Sequence, residues 1–388
     1  MSKKKRKFII DAGKNKIKFM ILQADGTIEI MGFFDSLVQS GLRNFNGVTK
    51  SSAYQFRVKF EEELYLVGDG ANPSYNQEKT KRNEHHRLCI YTIIGHFAEE
   101  NEDISVVTGC PTSDYSKTDE PEVFAKYLRN EGKEITIEVD GIEKNFKIKD
   151  VDVQTEGMAI IPRNLLGDGE MYNVIDIGGQ QLNYRHYDEN GNSYESFSID
   201  GAGVNHLKTY LKTNFRKVAS ADTVNINTID FMKSVDDGQI NISDLGTLSG
   251  FKDSRDFIET TVVDFIKQKI ITPLQEADVN LSAKGIKNIF TGGGSKKIES
   301  YLKTMLQNNV NNFIFSKTSY WDNCFSFILK NFKDTEIDNM TDDEIEVFID
   351  NIFEQAQNEH LQREKDPILK KKYEDELKAK KEAAATKK

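Results

Sequence analysis

Two segments of this chain share one pattern, an apolar run that ends in Asp-x-Gly: Phe8–Gly13 reads FIIDAG and Asn173–Gly178 reads NVIDIG. A short apolar run bounded by a glycine turn reads as a buried strand. Glycine lets the backbone approach a ligand closely and leaves N–H groups to face an anion. Each segment begins a hairpin, and in each half the order hairpin, helix, strand, helix follows. The repeat predicts a duplicated α/β layout with a cleft between the halves.

The remaining elements follow from periodicity and turn signals. Residues 17–24 and 27–33 flank Asp25-Gly26, and residues 135–139 and 144–150 flank Asp140-Gly141, both hairpin signatures. Residues 55–60 and 63–67 are strands, residues 86–99 are apolar at helical spacing, and residues 104–107 form a buried strand. VDVQTEGMAIIP, residues 151–162, reads as a strand turning into a helix, before the loop Gly167-Asp168-Gly169. In the second half the hairpin turns at Glu189-Asn190-Gly191, and GAGVNHLKTYLKTNF is a loop followed by a helix. Residues 216–250 are polar and mixed, with no clear period. Residues 254–277 predict one long amphipathic helix with Phe257, Ile258, Val262, Phe265, Ile266 and Ile270 on its apolar face. KNIFTGGGSKKIESYLKTML reads as strand, glycine turn, helix. A last helix is expected from Thr341, which has capping-box spacing to Glu344, and the chain is lysine-rich from about Glu364.

Composition narrows the function classes. With 388 residues the chain is long enough for two domains, and 24 Phe and 14 Tyr supply core material. A formal net charge of -10 argues against general nucleic-acid binding. No stretch has the apolar length to cross a bilayer, and the basic start MSKKKRK leads into a strand without the apolar core of a secretory signal. Cys89, Cys110 and Cys324 are too far apart for a disulfide framework or a zinc site, and they suit a reducing cytosol.

Three glycine turns carry the chemistry. The first is Asp11-Ala12-Gly13-Lys14-Asn15 with Lys18 beyond it, the second Asp176-Ile177-Gly178-Gly179-Gln180-Gln181, the third Gly292-Gly293-Gly294-Ser295. Two facing Asp-x-Gly hairpins suit a polyphosphate gripped from both sides. Asp11 and Asp176 would repel it alone, so their role would be to hold Mg²⁺, mostly through water. Lys18 would offset phosphate charge, and the third turn would present helix amides to a nucleotide. Any one such turn is usually only a turn; three in this order, each after an apolar strand, are far less common. A GxxxxGK[ST] loop and a GxGxxG after a first strand are both missing.

FIIDAGKNKIK, YNVIDIGGQQ and IFTGGGSKKI resemble the two phosphate motifs and the adenosine motif of the actin–chaperone–sugar kinase ATPase superfamily. Within it the best resemblance is to bacterial actin-like proteins of the ParM type, to which ELYLVGDGAN, VVTGCP and SIDGAGVNHL are also similar, over about residues 7–330. The resemblance implies an actin-like fold: two duplicated α/β domains with ribonuclease H-like cores around a nucleotide cleft. Domain I would take residues 1–165 and domain II 166–310; 311–340 would return to domain I, and 341–388 would form a C-terminal helix and lysine-rich tail. It further implies binding of ATP or GTP with Mg²⁺, head-to-tail filaments, hydrolysis within them, and plasmid segregation through a DNA-binding adaptor on a centromere-like DNA site. No direct nucleic-acid contact, no membrane attachment and a cytoplasmic location are expected.

Glu156 matches the glutamate that positions the attacking water in such proteins, with Gln154 as competitor and the capping of a following helix as the bland alternative. Asp176 joins the catalytic set. Asp11, Gly13, Lys14, Asn15, Lys18, Gly178, Gly179, Gln180, Gly203, Gly292, Gly293, Gly294 and Ser295 are the implied nucleotide-binding residues. Lys14, Gln180 and Gln181 depart from the usual family residues. A small-molecule, sugar-type kinase of the same superfamily is the alternative, although no general base for an acceptor is evident. Membrane-tethered relatives and chaperone ATPases fit less well, for lack of an apolar terminal anchor or a substrate domain. His85-His86 reads as a surface pair, Trp321 as core or a subunit contact, Cys110 as packing, and KKKRK as a solvated start.

Overall fold

The computed structural model describes residues 5–24, 26–50, 52–71, 80–99, 102–115, 117, 119–157, 170–219, 225–242, 245–306 and 312–331, with Glu344 and Val347. Asp25, the Gly167–Gly169 loop, the segment expected to turn helical after Gly157, Thr341 and the lysine-rich tail lie outside these residues. The chain divides into two compact units. One gathers the chain up to Thr155 and the described residues from Cys324 on; the other is Glu156–Asn323.

In the first unit, β1 (Lys5–Ala12), β2 (Lys16–Leu22) and β3 (Ile28–Asp35) form an antiparallel meander. Next come β4 (Val38–Gln39), β5 (Gln55–Phe60), β6 (Glu63–Gly68), α1 (Glu84–Phe97) and β7 (Asp103–Cys110). They are followed by α2 (Thr112–Tyr115), α3 (Glu120–Leu128), β8 (Ile135–Val139), β9 (Ile142–Phe146) and β10 (Ile148–Thr155). The main sheet has the order β10-β7-β1-β2-β3, with β7 parallel to both β1 and β10. A second sheet, β4-β6-β5-β8-β9, is antiparallel throughout. β1 is buried along nearly its whole length, as a strand covered on both faces must be. Phe8, Phe19, Phe34 and Phe56 have no solvent exposure, and Phe19 meets Tyr54 edge-on at 5.7 Å.

The second unit repeats the plan. β11 (Met171–Ile177), β12 (Gln181–Tyr187) and β13 (Ser193–Asp200) form the meander; α4 (Val204–Val218), α5 (Phe231–Asp237) and α6 (Ser254–Ile266) follow. A π turn (Lys267–Ile271) leads into α7 (Thr272–Glu276), β14 (Ile286–Thr291), α8 (Gly292–Met305) and β15 (Phe313–Phe315). The sheet order is β13-β12-β11-β14-β15, with β14 parallel to β11 and β15. Strand for strand, order and direction match the main sheet of the first unit. α9 (Asp322–Asn331) closes the described chain.

Several expectations change. The long helix at 254–277 is broken by the π turn, which inserts an extra residue into the ladder. The glycines 292–294 are not a turn before a helix; they are the first residues of α8, with Thr291 in the cap position. The return to the first unit falls at Cys324 rather than 311, because β15 pairs with β14 and holds the preceding residues in the second unit. The sequence boundaries at 165 and 310 lie outside the described residues. Within the unassigned stretch, α5 is a short helix capped by Asp230, whose carboxylate accepts from the N–H groups of Met232 and Lys233. Among the described residues no helix is long and apolar enough to cross a membrane.

Candidate functional site

In the first unit the site grows from the end of β1. Asp11 stands opposite Lys18 in the hairpin register, and Lys18 Nζ donates to Asp11 Oδ2 at 2.9 Å. Cross-strand neighbours lie within contact distance, so this pairing follows from the register alone. Asp11 is only 3% exposed. The Gly13 N–H donates to the Asp11 carbonyl at 2.9 Å, and the Asn15 carbonyl accepts from the Ser36 N–H, tying the turn to the end of β3. Lys14 is half-buried in the same turn. Lys18, expected to offset phosphate charge, thus neutralises the buried aspartate.

Three residues that the sequence did not assign to this site bear on the hairpin by contact or by charge. Lys81, itself buried, donates its Nζ to the carbonyl of Ala12. The thiol of Cys324, at the start of the chain's return, packs 3.9 Å from the Lys18 carbonyl. Burial pushes that thiol far up, with the Asp11 carboxylate adding to the shift. His86 lies fully buried on α1, not at the surface. Burial drives its imidazole well below the usual 6.5, and repulsion from Lys81, His85 and Lys14 adds to the effect. The Asn83 side chain caps α1 by accepting the His86 N–H at 3.0 Å, which turns its amide nitrogen toward His86 Nδ1 at 3.2 Å. A donor facing Nδ1 requires that nitrogen to be unprotonated, so geometry and burial both keep the ring neutral. His85, half-buried, places Nε2 3.1 Å from the Ser36 carbonyl.

The ends of β7 and β10 lie beside that of β1. Ile10 pairs with Thr108, whose hydroxyl donates to the Ile10 carbonyl at 2.7 Å, and Gln154 pairs with Gly109. The carboxyl ends of parallel strands are where open α/β sheets bind ligands. Gln154 is buried; its Nε2 donates to Asp152 Oδ2 at 2.7 Å, and its Oε1 has no hydrogen-bond partner among the described residues.

In the second unit Asp176, 5% exposed, sits on β11 between Asn183 of β12 and Thr291 of β14. Glycines surround it. Gly292 has φ +85°, and a Cβ there would stand 2.1 Å from Asp176 Oδ1. Gly157, with φ +73°, faces the Asp176 side chain, and its N–H donates to Asn323 Oδ1 at 3.1 Å. Glu156, 7% exposed, is therefore one residue from the backbone packed on Asp176.

The hairpin turn itself is stapled to α4. The carbonyls of Gly178 and Gly179 accept from the N–H groups of Val204 and Asn205 at 3.1 and 2.8 Å, and the Gln180 carbonyl accepts from Gly201 and Gly203. Gly203 permits this contact, since a Cβ would lie 2.3 Å from the Gly179 carbonyl. At the start of α8, Gly293 faces the Tyr320 ring and Gly294 the Ile177 carbonyl, while the Ser295 hydroxyl bonds back to the Thr291 carbonyl. The Gly292 N–H is taken by Ser319. Asp322, also unread from sequence, accepts hydroxyl bonds from Thr291 and Thr318 at 2.5 and 2.6 Å and so anchors the end of β14. Asp322 and Asn323 carry no local signal for these roles, because Thr291 and Gly157 lie far from them in sequence.

Among the described residues no three His, Cys, Asp or Glu side chains cluster as a metal cage. On each hairpin by itself, the one buried carboxylate fits Mg²⁺ held mostly through water. The bare backbone around Asp176 leaves that carboxylate unobstructed by neighbouring side-chain carbons at Gly157 and Gly292.

Residues 10–158 match the family model described as Actin like proteins N terminal domain. No curated protein matches the chain. Among solved structures, the chain is similar to a 15-stranded ParM filament from Clostridium botulinum: 18% identity, 86% of this chain and 100% of that chain covered, TM-score 0.63. The Alp12 filament is similar at 20% identity over 84% of this chain and 97% of that chain, TM-score 0.55. An archaeal actin homologue in complex with ADP matches at 14% identity over 84% and 98%, TM-score 0.58. The fold is actin-like, as the three glycine motifs led one to expect.

Proposed function

We propose that this chain, an actin-like fold, is a filament-forming NTPase of the ParM type that binds ATP or GTP with Mg²⁺ and moves plasmid DNA through a DNA-binding adaptor. One observation carries the reading: the two main sheets have the same strand order, and each ends its first strand in a buried aspartate followed by a glycine turn. The ADP complex and the filaments among the structural neighbours support it.

Each part has a role in this reading. Asp11 and Asp176 would hold Mg²⁺ mostly through water, Asp11 with its charge balanced by Lys18. The turns at Gly13 to Asn15 and at Gly178 to Gln180 receive phosphates, and the first turn of α8 receives the nucleoside. Gly203 acts indirectly, by letting α4 brace the second turn. Bound Mg-nucleotide supplies the scissile phosphoanhydride and the charge that the amides stabilise. Glu156 holds the attacking water, favoured over Gln154 because its neighbour Gly157 packs on Asp176. The polymer forms from copies of this chain in the cytoplasm. A separate adaptor contacts the DNA, consistent with a net charge of -10.

Light scattering of the purified protein with Mg-ATP and then Mg-GTP, backed by negative-stain images, tests the proposal. A nucleotide-dependent rise with visible filaments, decaying as phosphate appears, is expected. Nucleotide binding without any rise, with turnover that saturates with a small acceptor, would replace it with the kinase reading. Asp176→Ala is expected to lose Mg-nucleotide binding; unchanged affinity would remove Asp176 from the site.

A further inference from the structure

Away from these hairpins, α4 and the π turn of the second unit border a groove of about 530 Å³. The sequence explains its chemistry. α4 buries Val204, Leu207, Leu211 and Phe215, so its opposite face presents His206, Tyr210, Asn214 and Lys217 at helical spacing. The π turn supplies the other wall: its widened ladder keeps Ile270 buried while Gln268 and Lys269 stand in solvent beside the groove. Tyr210 meets Phe265 at 5.7 Å and forms the aromatic floor.

The charges are one-sided. His206, Lys217 and Lys269 border the groove, and its described lining includes no carboxylate. Among the described residues the Lys217 ammonium meets only the amide oxygen of Asn214, at 3.2 Å, and the Lys269 ammonium makes no hydrogen bond or ion pair. Lys287, Lys296, Lys297 and Lys303 of the same unit, by contrast, have carboxylate partners. The groove thus carries positive charge without a carboxylate of its own, in a chain with 62 acidic and 52 basic residues.

We propose that this groove is a subunit contact, in which an acidic surface segment of a second copy of the chain docks its carboxylates against Lys217 and Lys269. The inference rests on the filament reading above and names the surface that reading needs. Charge complementarity selects the occupant: a second copy carries a net charge of -10, and opposed potentials draw acidic and basic surfaces into register. The contact is heterologous, basic groove to acidic segment, which is the kind that builds open polymers.

The test uses the full chain, mixed one-to-one as natural-abundance and nitrogen-15 protein, assembled with Mg-nucleotide and treated with a zero-length carbodiimide cross-linker. Isotopically mixed cross-links from Lys217 or Lys269 to an Asp or Glu are expected in the polymer and not in the monomer. Lys217→Glu with Lys269→Glu is expected to raise the assembly threshold about tenfold at unchanged nucleotide affinity, while arginine at both positions keeps the wild-type threshold. If the reversed variant loses its circular-dichroism spectrum, glutamine at both positions and the cross-links decide. A wild type that assembles, with an unchanged threshold in the variant and no mixed cross-links, overturns the groove contact and leaves the filament reading standing. Protection of both lysines from acylation by pyrophosphate in the monomer would assign the groove to a small anion and overturn it as well. A wild type that never assembles removes both readings together.

Discussion

Gly292 has no room for a side chain because Asp176 occupies the space: a Cβ on Gly292 would stand 2.1 Å from Asp176 Oδ1 and 2.6 Å from the Ile177 carbonyl. The contact joins the first residue of α8 to the aspartate of the second hairpin. It also explains why the glycine run follows β14 directly, since β14 is the parallel neighbour of β11.

Gly292→Ala combines this clash with a φ of +85° and is expected to destabilise the protein by roughly 2–4 kcal/mol. Gly293→Ala meets only the Tyr320 ring, at 3.3 Å, and is expected to cost under about 1 kcal/mol. Urea unfolding of both variants checks the contrast; equal costs would contradict the packing of α8 on Asp176.

Lys18→Met leaves the Asp11 carboxylate buried without the ammonium 2.9 Å away. Breaking a buried pair from one side costs about 3–5 kcal/mol, whereas Asp11→Asn with Lys18→Met removes both charges and costs less. A double-mutant cycle from unfolding midpoints measures this. A double variant no more stable than Lys18→Met would show that the pair is not coupled.

Glu156→Ala is expected to bind nucleotide and assemble but to hydrolyse it about 100-fold more slowly or worse, giving long-lived filaments. Gln154→Ala should turn over close to the wild type. Phosphate release followed alongside scattering distinguishes the two, and normal turnover in Glu156→Ala would transfer the water-positioning role to Gln154.

His86 is buried and its folded-state pKa lies well below 6.5. The unfolded chain therefore binds the proton first, and stability is lost as pH falls below about 6.5. His86→Gln is expected to flatten the dependence of the urea midpoint on pH between about 7 and 5.5. His85 and His186, lowered by burial in the same sense, retain part of the slope. An unchanged slope would mean that the ring is solvated.

Much of this protein can be read along the chain. The hairpins at Asp11 and Asp176, the apolar face of residues 254–277 and the helix after Thr291 are local, set by alternation, helical spacing and glycine, whose signals lie within a few residues. Their repetition suffices to predict the doubled α/β plan. The π turn at Lys267–Ile271 escaped because its residues KQKII keep an ordinary helical pattern.

Other features depend on residues far apart in sequence. Lys81 reaches Ala12, Cys324 packs on Lys18, Asp322 holds Thr291, and Asn323 holds the Gly157 amide. His86 reads as a surface residue because its neighbour His85 is polar and the helix face it joins is not known until α1 packs. The residues that brace Asp11 and Asp176 were beyond local reading because a buried polar group must find its partner wherever packing brings one, and chain distance places no limit on that choice.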